Sequence, residues 1–312
     1  MKKYGFGVDI GGTTCKIGLF ETTGVMIEKW EIPTRTDNHG ENILSDVTDS
    51  VMGKMAEKGI SKEDVQGVGI GVPGPVTAEG IVQKCVNLGW GVFDVVKEMT
   101  EKTGLYIKVG NDANVAALGE MWQGGGKGRK NMIMVTLGTG VGGGIIVDGK
   151  IVAGSHGAGG EIGHMTVNTE ETEPCGCGRY GCLEQYASAT GAVRLAKRKL
   201  QATDKQTVLR NYDPLTAKDI FDAAKAKDQV ADEVVEEMTM ILGKQLSDMA
   251  CVVDPEIIVI GGGVSKAGTI LTDGIQKYYK KAAFQVCRNA EFALATLGND
   301  AGMYGCVQMI LQ

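Results

Sequence analysis

Residues 161–185, EIGHMTVNTEETEPCGCGRYGCLEQ, place a histidine and three cysteines in one short polar segment, with Glu161 and Glu184 near its two ends. Imidazole and thiolate are ligand types that zinc prefers. Carboxylates accept hydrogen bonds on both oxygens, which suits neighbouring hydroxyls. Two chemistries fit these types: a small zinc module, or one wall of an active site that a metal holds in shape. The segment alone leaves both open.

A second set of residues points to phosphate. The run YGFGVDI (4–10) carries Asp9 and leads into GGTT (11–14), and NMIMVTL (131–137) leads into GTG (138–140). In each, an apolar strand enters a Gly/Thr hairpin and returns as another apolar strand, which reads as two copies of one device. Glycine lets backbone N–H groups converge on phosphate oxygens, and threonine adds a hydroxyl donor. Either hairpin alone is equally well a tight turn. The pair, with a third glycine block IGGGVS (260–265), favours nucleotide phosphates. Asp9 would then hold Mg²⁺, through water, because that ion dehydrates reluctantly.

Two other glycine motifs fail on context. GTGVGG (138–143) matches G-x-G-x-x-G, but a hairpin at Asp148-Gly149 follows where a dinucleotide site needs a helix. GVSKAGT (263–269) has Thr269 where a Walker lysine is required.

The elements that must position these residues follow from periodicity. YGFGVDI, KIGLFE (16–21) and GVMIEKWEI (24–32) predict three antiparallel strands, and 40–58 an amphipathic helix. VQGVGIGVPG (65–74) predicts a strand entering a Gly-Pro loop. LYIKVGNDANVAALGEMW (105–122) predicts a strand running into a helix through Asn111-Asp112, where Asp112 reads as an N-cap. Helices are expected near 188–201, 216–226 and 229–252, then a strand at 256–264, a helix, a strand near 291–297 and a final helix from about 300. Meanders first and alternation later predict a mixed α/β protein of two lobes, with a cleft between their equivalent hairpins.

Composition narrows the function classes. The 312 residues are 43% hydrophobic, enough for one large domain or two packed lobes. A net charge of −6 and the lack of a basic patch or tail argue against a nucleic-acid partner. GGGKGRK (124–130) reads as a solvated loop. No secretory signal is visible and no apolar run is long enough to span a bilayer, so no membrane partner is expected. Cys15, Cys85, Cys251, Cys287 and Cys306 are scattered through apolar runs and are expected buried and inert. With no disulfide framework, the chain reads as cytoplasmic. Its 47 glycines, about double the usual share, gather in blocks after strands.

The segments VDIGGTTCKIGLF, TLGTGVGGGII, EIGHMTV, CGCGRYGCLEQYAS and IIVIGGGVS resemble the ROK family of sugar kinases and repressors, and most of all its bacterial glucokinases. The resemblance covers essentially the whole chain in the family's order. It implies the actin-like ATPase fold, two lobes with ribonuclease-H-like cores that close on ATP and sugar. A smaller lobe would span 1–120, with the C-terminal helix at about 300–312 packing back on it. The larger lobe would span 121–299 and include a structural zinc segment, 161–185.

The same resemblance implies roles. His164, Cys175, Cys177 and Cys182 would bind structural Zn²⁺, one imidazole and three thiolates that leave no open position. Glu161, His164 and Glu184 match residues that contact the hydroxyls around C1 and C2 of the sugar, and Asn87 and Asn111 match further sugar-binding positions. Asp112 matches the general base, which takes the proton of the 6-hydroxyl while that oxygen attacks the γ-phosphate in line. Asp9, Gly11, Gly12, Thr13, Lys16, Gly138, Thr139, Gly140, Gly262 and Gly263 would hold ATP and Mg²⁺. The implied reaction is ATP-dependent phosphorylation of glucose at O6. Kinases for fructose, mannose or N-acetylmannosamine share these motifs. A non-catalytic sugar-responsive regulator is the other alternative, but the family's repressors carry a helix-turn-helix ahead of the first hairpin, and only eight residues precede Asp9 here. Family members are commonly homodimers or homotetramers.

Overall fold

The computed structural model describes residues 2–312. In chain order its first strands are β1 (Tyr4–Ile10), β2 (Thr14–Glu21), β3 (Met26–Pro33), β4 (Val65–Val72), β5 (Ile81–Val82), β6 (Phe93–Asp94) and β7 (Ile107–Asn111). The later strands are β8 (Met132–Leu137), β9 (Val141–Val147), β10 (Lys150–Ile151), β11 (Ile257–Gly261) and β12 (Glu291–Leu294).

The strands form two five-stranded sheets, ordered β3-β2-β1-β4-β7 and β10-β9-β8-β11-β12, and a small β5-β6 ribbon. In the first sheet β1, β2 and β3 make an antiparallel meander, while β1, β4 and β7 run parallel. In the second, β10 is antiparallel to β9, and β8, β11 and β12 run parallel. The order is the same in both sheets, so the duplication legible in the two Gly/Thr hairpins extends to the topology that follows each of them.

Burial explains the strand sequences. β1 is almost continuously buried, as a central strand covered on both faces must be, whereas β3 alternates half-buried and exposed residues along a sheet edge. The helix Ile43–Lys58 turns Leu44, Val47, Val51 and Met55 into the core at helical spacing. Each such side chain contributes about 1.5–3 kcal/mol relative to exposure.

The chain divides into two compact units. The first comprises residues up to Lys130 with Gly144–Gly160 and Leu297–Gln312, and the second Asn131–Gly143 with Glu161–Thr296. The division expected near residue 120 would fall inside the helix Asp112–Gln123, which packs along the helix Ala301–Leu311 in the first unit. Ala301–Leu311 also lies on β1 and β4. In the second unit the long helix Gln229–Val253 packs against Ala217–Lys225 and Thr269–Ala282.

All eight cysteines are free thiols. Cys15, Cys85, Cys287 and Cys306 are buried as expected, but Cys251 is exposed. It follows Met249 and Ala250, which face inward, and one further step of about 100° turns it out to solvent. Among the described residues no helix is long and apolar enough to cross a membrane.

Candidate active site

In the first unit Asp9 stands opposite Lys16 in the β1–β2 register. The helix Ala301–Leu311 starts close against it: a Cβ on Gly302 would come within 2.8 Å of the Asp9 carboxyl carbon, so only glycine fits there. Burial raises the Asp9 carboxyl to a pKa of about 6, Lys16 opposes the rise and Asp112 adds to it. The hairpin that follows is closed by Gly11 N–H donating to Thr14 O at 3.0 Å. Thr34 braces it by donating its hydroxyl to Gly11 O at 2.7 Å and its N–H to Thr13 O at 2.9 Å. Gly12 and Thr13 are left exposed. Lys16 Nζ is 3.5 Å from Asn299 O.

The strand β7 runs directly into the helix Asp112–Gln123. Its N-cap is Asn111 and not Asp112: Asn111 has extended backbone, and its Oδ1 accepts from Asn114 N–H at 3.1 Å. Capping therefore does not account for the aspartate. Asp112 Oδ1 accepts from Asn111 Nδ2 at 3.0 Å and from Ala113 N–H at 2.8 Å, which fixes the plane of its carboxylate. Asn111 Nδ2 also donates to Gly74 O at 3.1 Å, tying both residues to the Gly-Pro loop after β4. Asn87 lies on the exposed turn Val86–Leu88, anchored by buried Leu88.

In the second unit the donor atoms of His164, Cys175, Cys177 and Cys182 lie within 4.8 Å of one another. Cys177 Sγ and Cys182 Sγ are 3.7 Å apart, and His164 Nδ1 is 3.9 Å from Cys175 Sγ. Ligands at about 2.3 Å around a tetrahedral ion are spaced about 3.8 Å along each edge, so this donor set fits one Zn²⁺ and leaves no open position. The knuckle is built by Gly178 N–H donating to Cys175 O at 2.8 Å and Cys175 N–H to Arg179 O at 2.7 Å. Because His164 turns Nδ1 to the thiols, its Nε2 points to the other side of the ring. Glu161 is exposed one short turn earlier, its carbonyl accepting from His164 N–H at 3.2 Å. Glu184 Oε1 lies 3.7 Å from His164 Nδ1 and accepts from the Cys175 thiol at 2.8 Å.

The second Gly/Thr hairpin, Gly138–Gly140, adjoins this cluster. A Cβ on Gly140 would meet Glu184 Oε2 at 2.6 Å. Gly138, Thr139 and Gly263 line one cavity of about 570 Å³ with Phe221, Lys225 and Lys266, a volume suited to a small-molecule ligand. Gly262 is not in its lining. Its φ of 82° and the 2.5 Å approach of Leu137 O to a Cβ there give it a backbone reason to be glycine.

Residues 5–312 match the ROK family. The chain belongs to it. This ROK protein is 45% identical to the glucokinase of Halalkalibacterium halodurans over 304 residues, 96% of this chain and 92% of that one. Its structure resembles that of a ROK family glucokinase from Streptomyces griseus in complex with glucose and AMPPNP, with a TM-score of 0.74, 34% identity and 98% of both chains covered. The xylose repressor of Caldicellulosiruptor bescii is 28% identical over 98% of this chain and 77% of its own. The fold is thus the α/β two-sheet arrangement of the ROK sugar kinases.

Within this ROK chain the structure gathers Asp9, Lys16 and Asp112 in one unit, and His164, the three cysteines, Glu184 and Gly140 in the other. Sequence reading did not single out Phe221, Lys225 or Lys266. The only local signal was the capping box Thr216/Asp219, which starts the helix carrying two of them but says nothing of a ligand. Ala189 and Thr190, whose N–H and hydroxyl hold the second hairpin, were also missed.

Proposed function

We propose that this ROK protein is an ATP-dependent glucokinase that transfers the γ-phosphoryl group to the 6-hydroxyl of glucose. The observation that carries this reading is the 45% identity to a glucokinase, sustained over nearly the whole of both chains.

Asp112 is the general base. Its carboxylate, held in plane by Asn111 and Ala113, takes the proton from the sugar 6-hydroxyl as that oxygen attacks phosphorus. Asn111 and Asn87 bind sugar hydroxyls. Glu161, Glu184 and the Nε2 side of His164 bind the hydroxyls around C1 and C2. Zn²⁺ on His164, Cys175, Cys177 and Cys182 would supply rigidity to that wall and no reacting group. Gly138, Thr139 and Gly263 bind the nucleotide in the cavity they line, with Gly140 and Gly262 shaping its rim, while Gly11, Gly12, Thr13 and Lys16 bind phosphate oxygens. A magnesium ion, held by Asp9 through water, would offset phosphate charge. The enzyme acts in the cytoplasm as a homodimer or homotetramer, an assembly that light scattering checks.

The deciding measurement is ATP-dependent ADP release with glucose, mannose, fructose and N-acetylmannosamine, with sugar-free and Asp112→Asn controls. Glucose is expected to saturate at far lower concentration than the rest. A better turnover with another hexose would overturn the specificity, and no turnover with any of them would overturn the kinase reading.

A further inference from the structure

The segment that carries the zinc ligands continues into the part of the chain that grips the second hairpin. Two residues after Cys182 comes Glu184, which opens the turn Glu184–Ala187, and then Ser188 and the helix Ala189–Ala202. Ser188 is fully buried and caps that helix, accepting from Gly191 N–H at 2.9 Å. Its hydroxyl donates back to Glu184 O at 2.6 Å, and its oxygen lies 3.0 Å from that of Thr190. With the Ser188 proton committed to Glu184, the Thr190 hydroxyl donates to Thr139 O at 2.7 Å. Ala189 N–H donates to Gly138 O at 2.8 Å beside it.

These last two bonds decide where the hairpin's amides point. In a planar trans peptide the C=O and the following N–H are antiparallel. Holding the carbonyls of Gly138 and Thr139 on the helix therefore turns the N–H groups of Thr139 and Gly140 away from it, as donors for an anion must be turned. We infer that Thr190 is a positioning residue for the nucleoside triphosphate, and that the cysteine–histidine segment thereby orders the phosphate hairpin as well as the sugar wall. The inference rests on the proposed nucleotide role of Gly138–Gly140.

The test replaces Thr190 with valine, which keeps the shape and removes the proton, and with serine, which restores it. Thr190 is exposed, so neither variant disturbs the core. Loss of one such hydrogen bond is expected to raise the KM for ATP and the calorimetric Kd for AMPPNP about five- to tenfold in Thr190→Val. The KM for glucose should stay within about twofold, and Thr190→Ser should return close to wild type. Removal of the metal by a thiol-competing chelator, followed by metal analysis, should weaken AMPPNP binding to the still-folded protein in the same direction. An unchanged ATP KM in Thr190→Val, or equal rises in both KM values without rescue by serine, would overturn the positioning role. Unchanged AMPPNP affinity after metal loss would overturn the link to the cluster. Wild-type protein that binds no AMPPNP would instead sink the nucleotide assignment beneath both.

Discussion

Two carboxylates, one in each unit, are withdrawn from water and meet opposite fates. Glu171 is 7% exposed and fully bonded: Arg198 forks onto both oxygens at 2.9 Å, Arg194 Nη2 lies at 2.6 Å, Tyr186 donates its hydroxyl, and the N–H groups of Thr172 and Glu173 complete the shell. The Arg198 hydrogen bonds, ahead of all other causes, hold its carboxyl far below the usual range. Asp9 has Lys16 opposite it, and burial wins, raising its carboxyl to about 6. Glu171 is a scaffold charge that the fold satisfies by itself. Asp9 is held at a cost in the free protein, and the magnesium ion proposed for it would supply the missing partner.

Mutation separates the two carboxylates, beginning with Asp112, the neighbour that raises Asp9. Asp112→Asn should lower kcat by about a thousandfold with glucose binding and thermal stability nearly unchanged. Steady-state kinetics beside a glucose titration separate the two, and near-normal turnover would remove Asp112 from the mechanism. On the scaffold side, Glu171→Ala takes the shared carboxylate from the part-buried Arg194 and the exposed Arg198 and should cost about 1.5–3 kcal/mol of unfolding free energy. Turnover per folded molecule should stay near wild type, and a specific loss of kcat without loss of stability would contradict the division drawn here.

Asp9→Asn should do the reverse. A raised carboxyl pKa stabilises the folded state fully below the unfolded value near 3.8, and that stability is lost as pH rises through about 6. The variant escapes this loss. Free of nucleotide and divalent cation, it should gain up to about 2–3 kcal/mol over wild type at pH 7, with little difference at pH 4, while ATP turnover collapses. Denaturant unfolding at the two pH values reads this directly. Glu171, with its lowered pKa, contributes with the opposite sign: its stabilisation is present above the ordinary glutamate range near 4.5 and is lost as pH falls below it. The smallest effect is expected at Glu173, whose side chain on the rim of the same arginine network is 61% exposed. Glu173→Gln should leave the denaturant midpoint unchanged within error, and a clear loss of stability would mean that the network is less self-sufficient than Glu171 implies.

Much of this was legible in the chain. Alternation and glycine breaks located β1 to β3, and the helices Ala189–Ala202, Ala217–Lys225 and Gln229–Val253 lie within two residues of the expected spans. The four zinc-type ligands followed from residue type, and the structure groups them. Other readings failed where the answer depended on what a residue faces. Asp112 read as a cap because it begins a helix, yet Asn111 takes that bond. Cys251 read as buried because its neighbours are apolar, yet it sits on the outer flank of its helix.

By itself the sequence determined the periodic elements, the twin hairpins, the donor types of the cluster and the position of Asp112 at the junction of a strand and a helix. These depend on chemistry within a few residues along the chain, where spacing is geometry. Only the tertiary structure decided that Asp9 would be packed against Gly302, that Glu171 would find two arginines, and that Thr190 would reach Thr139. Those outcomes are set by which surfaces meet after folding, and burial and hydrogen-bond satisfaction are properties of that meeting rather than of any local stretch.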